Sequence, residues 1–375
     1  MAVPLLDLKL QYQQIRDEVM TVTEEIYESQ MFILGKRVEE FEKDFATYCQ
    51  TKYSVGVSSG TDALLIALMV LDLEPGDEVI VPAYSFFATA GVVERLELIP
   101  VFVDIEPDSF NIDPAQIESH MSSRTKVIIP VHLFGQAAEM DLINEIATRR
   151  GAMVIEDAAQ AVGAEWDNRR IGSIGKLGAF SFFPSKNLGA FGDAGAVTTD
   201  DEALFQKLID YRVHGMRPKY FHHYVGGNFR IDALQAAILH IKLKYLEEWH
   251  LGRQRNADIY RALFADTKVG DRVRLPHALP RRRHIYNQFC LRFPEGRAVR
   301  DKVMDHLRAK GIGCDIYYPL TLPQQTCFKE LPSAKEAFPH SEAAAEQSLA
   351  VPIFPELTKD QIAEVVREIA HGLGA

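Results

Sequence analysis

The chain has 375 residues, enough for one large and one smaller domain around a core that excludes water. Its composition, 47% hydrophobic and 25% charged, excludes a disordered or fibrous chain, and a formal net charge of -11 disfavours a nucleic-acid partner. Four cysteines, Cys49, Cys290, Cys314 and Cys327, form no CxxC pair, so neither a disulfide framework nor a metal site is expected.

The N-terminal stretch MAVPLLDLKLQYQQIRDEV lacks the basic start and apolar run of a signal peptide, and no segment reaches membrane-spanning length, which predicts a cytoplasmic protein with no membrane partner. A polar helix is expected over roughly Gln11 to Ser29. Short β-branched runs then alternate with amphipathic stretches. Strands are expected at Glu78 to Pro82, Ile99 to Asp104, Lys126 to Val131, Met153 to Glu156, Ala179 to Phe183 and Ala194 to Thr198. Between them fall helices at Thr61 to Leu71, Met140 to Arg150 and Asp201 to Arg212. The alternation predicts an α/β fold with a mostly parallel sheet covered on both faces. A long helical pattern from Asp232 to about Ala265 leaves the sheet, and the remainder reads as a smaller α+β domain, with HIYNQFCLRF and GIGCDIYYP as strand-like runs and a last helix near Lys359 to Gly372. The domains are placed at residues 1–245 and 246–375.

Ligands of a parallel sheet gather at the carboxyl ends of its strands, and three runs put unusual polar groups there. In SSGTDALLIAL, a small polar loop opens an apolar helix, and the free N–H groups around Gly60, Thr61 and Asp62 suit a phosphate. An ordinary N-cap by Ser59 or Thr61 accounts for the same residues. In AMVIEDAAQAVGA, a buried strand ends at Glu156 and Asp157, and a carboxylate in that position can hold a proton on a heterocyclic nitrogen or simply cap the next turn. Gln160 is then a donor for a ring hydroxyl. In GAFSFFPSKNLGAFGDAG, Lys186 stands among aromatic and small residues just past a strand. Lost hydration there lowers an amine's pKa and frees it to form an imine, although most lysines are solvated surface groups.

These three runs, in this order, resemble the DegT/StrS-type sugar aminotransferases, a branch of the fold-type I pyridoxal-phosphate (PLP) enzymes. VPAYSFFATA, VHLFGQAAEMD, GGNFRIDALQAA and the opening VPLLDLKLQYQQI extend the resemblance over most of the chain. The resemblance implies a fold-type I large domain with a seven-stranded-type sheet, and a homodimer with active sites at the subunit interface. It makes Lys186 the Schiff-base lysine and general acid-base, Asp157 the partner of the pyridine nitrogen, and Gln160 a neighbour of the cofactor hydroxyl. Gly60, Thr61 and Ser181 become the phosphate cradle, Asn228 reaches the phosphate from the neighbouring subunit, and Phe86, or alternatively Phe87, stacks on the ring.

The activity implied is transfer of an amino group from glutamate to a nucleotide-linked keto-sugar, through an internal aldimine on Lys186 and pyridoxamine phosphate. Arg230 is a candidate for the donor's carboxylate, with an interface salt bridge as the competing role. Tyr317 and Tyr318, in GIGCDIYYPLTLPQQTCF, are candidates for sugar contact. That run is more similar to enzymes acting at C-3 than at C-4, although Pro323 stands where a His is common. A cyclitol ketone is the alternative acceptor. A sugar dehydratase of the same fold would carry His in place of Lys186, and a PLP-binding regulator would call for a basic DNA-binding extension that the sequence does not show.

Overall fold

Seven strands dominate the computed structural model, which describes residues 2–375. They are β1 (Tyr53–Val57), β2 (Glu78–Pro82), β3 (Ile99–Val103), β4 (Thr125–Ile128), β5 (Met153–Asp157), β6 (Leu177–Ser181) and β7 (Gly195–Thr199). They pair in the order β1-β7-β6-β5-β4-β2-β3. From β6 to β3 every neighbour is parallel, whereas β7 runs antiparallel to both β6 and β1. Six of these strands lie on the apolar runs named above. The remaining one, β1, has the short run YSVGV, broken by Ser and Gly, and becomes a strand because β7 offers it a hydrogen-bonding edge.

The apolar strands are continuous rather than alternating because both faces are covered. In β2, Ile80 enters one core while Val79 and Val81 enter the other. The first core takes the helices Leu8–Ser29, Lys36–Tyr48, Met140–Arg150 and Ala233–Leu243, and the second takes Gly60–Met69, Ala88–Arg95 and Glu202–Arg212. The same parity governs polar residues at strand ends: Glu156 and Asp157 must point to opposite faces of β5.

The helical pattern from Asp232 to about Ala265 is not one helix but two, Ala233–Leu243 and Leu246–Ala265. At the junction the N–H groups of Lys244 and Tyr245 bond three residues back, to Ile241 and Lys242, which tightens the turn and redirects the chain. The physical reason is a change of core. Leu246 and Trp249 still pack beneath the sheet, but Ala257, Tyr260 and Phe264 enter a third apolar cluster. That cluster is built on the antiparallel pair Phe289–Arg292 and Ser348–Val351 and on the helices Arg297–Ala309 and Lys359–Leu373. Val3 joins it and pairs with Ile312, so the start of the chain packs with its end.

GIGCDIYYP forms no strand; it makes two isolated bridges, Ile312 to Val3 and Asp315 to Ala350, because the backbone beyond Asp315 is taken up by a side chain described below. No helix among the described residues is long and apolar enough to cross a membrane.

Candidate functional site

At the carboxyl end of β5, Asp157 is buried and its two oxygens are engaged. Oδ2 accepts the Thr89 hydroxyl at 2.8 Å, and Oδ1 accepts the Ala159 N–H at 3.2 Å. Burial pushes the carboxyl's pKa up; Thr89, Ala159 and the charges of Lys186 and His132 pull it back down. Thr89 is itself held by Ser85, four residues earlier in the turn ahead of the helix Ala88–Arg95, at 2.9 Å.

On the opposite face of β5, the wholly buried Glu156 accepts four N–H groups, from Gly172 (2.9 Å), Ile174 (2.7 Å), Gly175 (2.6 Å) and Nε2 of His132 (3.1 Å). Nδ1 of His132 accepts the Ala138 N–H at 3.0 Å, which places the ring proton on Nε2. Four donors satisfy this buried carboxyl and lock the strand end behind Asp157.

Lys186 lies in the loop leaving β6. The loop is pinned by Lys186 N to Phe183 O, Ala190 N to Phe182 O and Phe182 N to Ala194 O, each at 2.8 Å. Gly189 is required there: a Cβ would lie 2.2 Å from the carbonyl oxygen of Pro184. Burial lowers the Lys186 amine to about 8, against the attraction of Asp157, which works to raise it. Among the described residues, the amine has no hydrogen bond or ion pair. It borders a cavity of about 110 Å³ shared with Arg253, Asn287, Gln288 and Tyr317.

The helix Gly60–Met69 starts beside Ser181, at the end of β6. Ser59 caps it by accepting the Asp62 N–H at 3.0 Å, while the N–H groups of Gly60 and Thr61 have no partner among the described residues. The close approach depends on glycine, since a Cβ at position 60 would fall 2.4 Å from Cβ of Ser181.

The remaining predicted residues divide into two groups. Oε1 of Gln160 accepts the Phe134 N–H at 2.7 Å, and its Nε2 donates to the Tyr318 hydroxyl at 3.2 Å. The ring of Phe86 lies tilted 6.1 Å from Tyr318 and is 55% exposed, whereas Phe87 is stacked on Phe328 at 5.4 Å. Phe87 is also 46% exposed, so both rings keep an open face, and Phe86 is the one that lies beside Tyr318. Asp157, Lys186, Gln160, Phe86, Tyr317 and Tyr318 thus converge.

Asn228 and Arg230 do not join them within one chain. Asn228 is exposed and its side chain is unpartnered among the described residues. Arg230 bridges Val57 beside the cradle helix, and its Nε is buried without a hydrogen bond. No carboxylate pairs with Arg230 among the described residues, so the salt bridge considered for it is not made within the chain.

Sequence reasoning passed over two groups that hold the site. Thr89 orients Asp157. Tyr84, wholly buried, accepts the Tyr318 N–H at 2.6 Å, donates to the Tyr317 carbonyl and contacts Ser348 Oγ at 3.0 Å, tying β2 to the C-terminal unit. Both lie in VPAYSFFATA, where two hydroxyl residues four apart, Ser85 and Thr89, were the available signal.

Comparison with known proteins covers nearly the whole chain. Residues 13–370 match the DegT/DnrJ/EryC1/StrS aminotransferase family. A "Pleiotropic regulatory protein" of Geobacillus stearothermophilus is 45% identical over 371 residues, covering 99% of this chain and 98% of its own length. A UDP-N-acetyl-3-dehydro-alpha-D-glucosamine 3-aminotransferase of Acidithiobacillus ferrooxidans is 41% identical over 374 residues, 99% of each. Among solved structures, DesV of S. venezuelae, in complex with a ketimine intermediate, superposes with a TM-score of 0.93 at 38% identity, covering 99% of this chain and 98% of its own.

Proposed function

The chain belongs to the DegT/DnrJ/EryC1/StrS aminotransferase family, and on that footing we propose that it transfers the amino group of glutamate to C-3 of a nucleotide-linked keto-sugar. It is a PLP-dependent transaminase. The observation that carries the reading is the pairing of an unpartnered, desolvated amine at Lys186 with a buried acid, Asp157, at the end of a neighbouring strand. C-3 is favoured because the Acidithiobacillus relative is named for that position. No observation favours a cyclitol acceptor; one relative is named a pleiotropic regulatory protein, but the net charge of -11 opposes DNA.

The residues fit the cofactor. The close approach of Gly60 to Ser181 brings that hydroxyl beside a helix start whose Gly60 and Thr61 N–H groups have no partner among the described residues, which suits a phosphate. Lys186 would anchor the aldehyde, Asp157 the ring nitrogen, Gln160 the ring hydroxyl and Phe86 the ring face. Bound there, PLP supplies an electron sink for the carbanion formed when a donor loses its α-proton.

The chain's own groups do the rest. With the cofactor in place, Lys186 Nζ would carry the proton from the donor's α-carbon, a task suited to an amine that burial lowers to about 8. Asp157 would hold the ring nitrogen's proton; burial raises the acid's own pKa, and a cation facing it would oppose that rise. Tyr317 and Tyr318, fixed by Tyr84, wall the side on which the sugar enters. Arg230, with a guanidinium free of carboxylates, is the candidate for the donor's carboxylate.

The active unit in this reading is a cytoplasmic homodimer, with Asn228 of the partner subunit at the phosphate. Support comes from an exposed apolar groove of about 550 Å³ lined by Leu8, Tyr12, Met20, Phe191 and Leu234, and from the exposed Tyr220, Phe221 and Val225 next to Asn228. We also place the division between a PLP-binding domain and a small domain at 245/246.

Incubation with glutamate and a UDP- or dTDP-linked 3-keto sugar is the test. The expected products are 2-oxoglutarate and the 3-amino sugar, identified by NMR. Turnover of the 4-keto isomer alone would overturn the C-3 assignment, and turnover of neither would overturn the acceptor class.

A further inference from the structure

The loop that carries Lys186 is gripped by one face of the helix Ala233–Leu243. Oε1 of Gln235 accepts the Phe191 N–H at 2.8 Å, and Nε2 of the same side chain donates to the Phe191 carbonyl at 3.4 Å. Two turns on, Lys242 donates from Nζ to the Gly189 carbonyl at 2.5 Å, and its ammonium sits 4.8 Å from the centre of the Phe191 ring. These contacts fall at positions 189 and 191, within five residues of Lys186.

Lys242 is only 2% exposed, and no carboxylate pairs with it among the described residues. Burying an ammonium without a counter-charge is costly, and burial lowers this amine to about 8. An apolar side chain of the same length would avoid that cost. Within the chain, the contacts to Gly189 and Phe191 are what offset it, so the lysine acts on the loop.

We propose that Gln235 and Lys242 are positioning residues that clamp Gly189 and Phe191, and thereby hold the Lys186 amine at the height from which it links to the cofactor. The inference rests on Lys186 being that link. The loop has other anchors, at the N–H groups of Lys186 and Ala190 and at Asn187, whose Nδ2 donates to the Ile285 carbonyl at 3.2 Å. Removing the clamp therefore loosens the loop without unfolding it.

Two ligands separate positioning from general support. Pyridoxal phosphate binds through the cradle and through covalent capture by Lys186; pyridoxamine phosphate, which has no aldehyde, reports the cradle alone. In Lys242→Met and in Gln235→Leu, borohydride-fixed phosphopyridoxyl label at Lys186 should fall, and the Kd for pyridoxal phosphate should rise about tenfold, the effect of one lost buried hydrogen bond. The Kd for pyridoxamine phosphate should stay within about twofold of the parent.

Unchanged labelling and unchanged affinity for pyridoxal phosphate in both variants would overturn the clamp. So would an equal loss of affinity for the two ligands, which marks a merely structural role. Label on another residue in the parent protein itself would overturn the reading of Lys186, and the clamp with it.

Discussion

Thr89 donates a hydrogen bond of 2.8 Å to Oδ2 of Asp157, and both side chains are out of reach of water. The hydroxyl fixes the rotamer of the acid that the proposed reaction needs, and it favours the ionised form. Thr89→Val keeps the shape and removes the donor. A hydrogen bond to a charged group contributes about 1.5–3 kcal/mol, so kcat should fall at least about tenfold. Steady-state kinetics check it, and a parental kcat would deny Thr89 its orienting role.

Asp157→Asn leaves an oxygen for Thr89 to bond but removes the negative charge. The cofactor should still bind, since the cradle and Lys186 are intact. Proton transfer should slow by about 10²-fold or more, the usual scale for a lost electrostatic contribution in a water-excluded site. Single-turnover absorbance with glutamate measures this step, and a near-parental rate would contradict the electron-sink argument.

The lowered pKa of Lys186 has a defined sign in the apoprotein. The amine titrates at 10.5 in the unfolded chain and at about 8 when folded. Between those values the unfolded state binds more protons, so folding stability rises with pH through that window. Below pH 8 the penalty for desolvating the charged amine is complete, and above 10.5 it vanishes. Lys186→Met should therefore stabilise the apoprotein near pH 7, by on the order of 2 kcal/mol, while abolishing the borohydride label and turnover. Lys242 titrates in the same window, so the difference between parent and variant isolates Lys186. Chemical denaturation at pH 7 and pH 11 tests it, and an equal effect at both would refute the assignment.

Mixing subunits tests the proposed dimer. Lys186→Ala and Asn228→Ala chains, each inactive alone, should regain part of the parental activity when refolded together, because one site of a mixed dimer would carry neither change. Absence of rescue, with mixed dimers demonstrated by mass spectrometry, would place Asn228 outside the neighbouring site.

Much of this protein was legible residue by residue. Unbroken β-branched runs such as EVIVP predict strands covered on both faces, and β2 occupies that run exactly as bounded. Lys186 stood out because an amine among aromatic and small residues past a strand is short of water. The run FPSKNLGAFG is placed just past a strand, and the close approach of Gly189 to the Pro184 carbonyl accounts for one of its glycines.

Other features depend on partners far along the chain. The strand at Tyr53–Val57 exists because β7 lies beside it. The break near Lys244 follows from two cores that one straight helix cannot serve. GIGCDIYYP reads as a strand, yet its backbone is claimed by Tyr84, 234 positions from Tyr318.

Local pattern thus determined which stretches are apolar, which turns need glycine and which groups can carry chemistry, since sterics and hydration act on neighbours in sequence. Tertiary structure alone decided which hydroxyl orients Asp157, which amide meets Tyr318 and which helix holds the Lys186 loop. Hydrogen bonds form between groups a few ångströms apart, and only the folded chain brings them there.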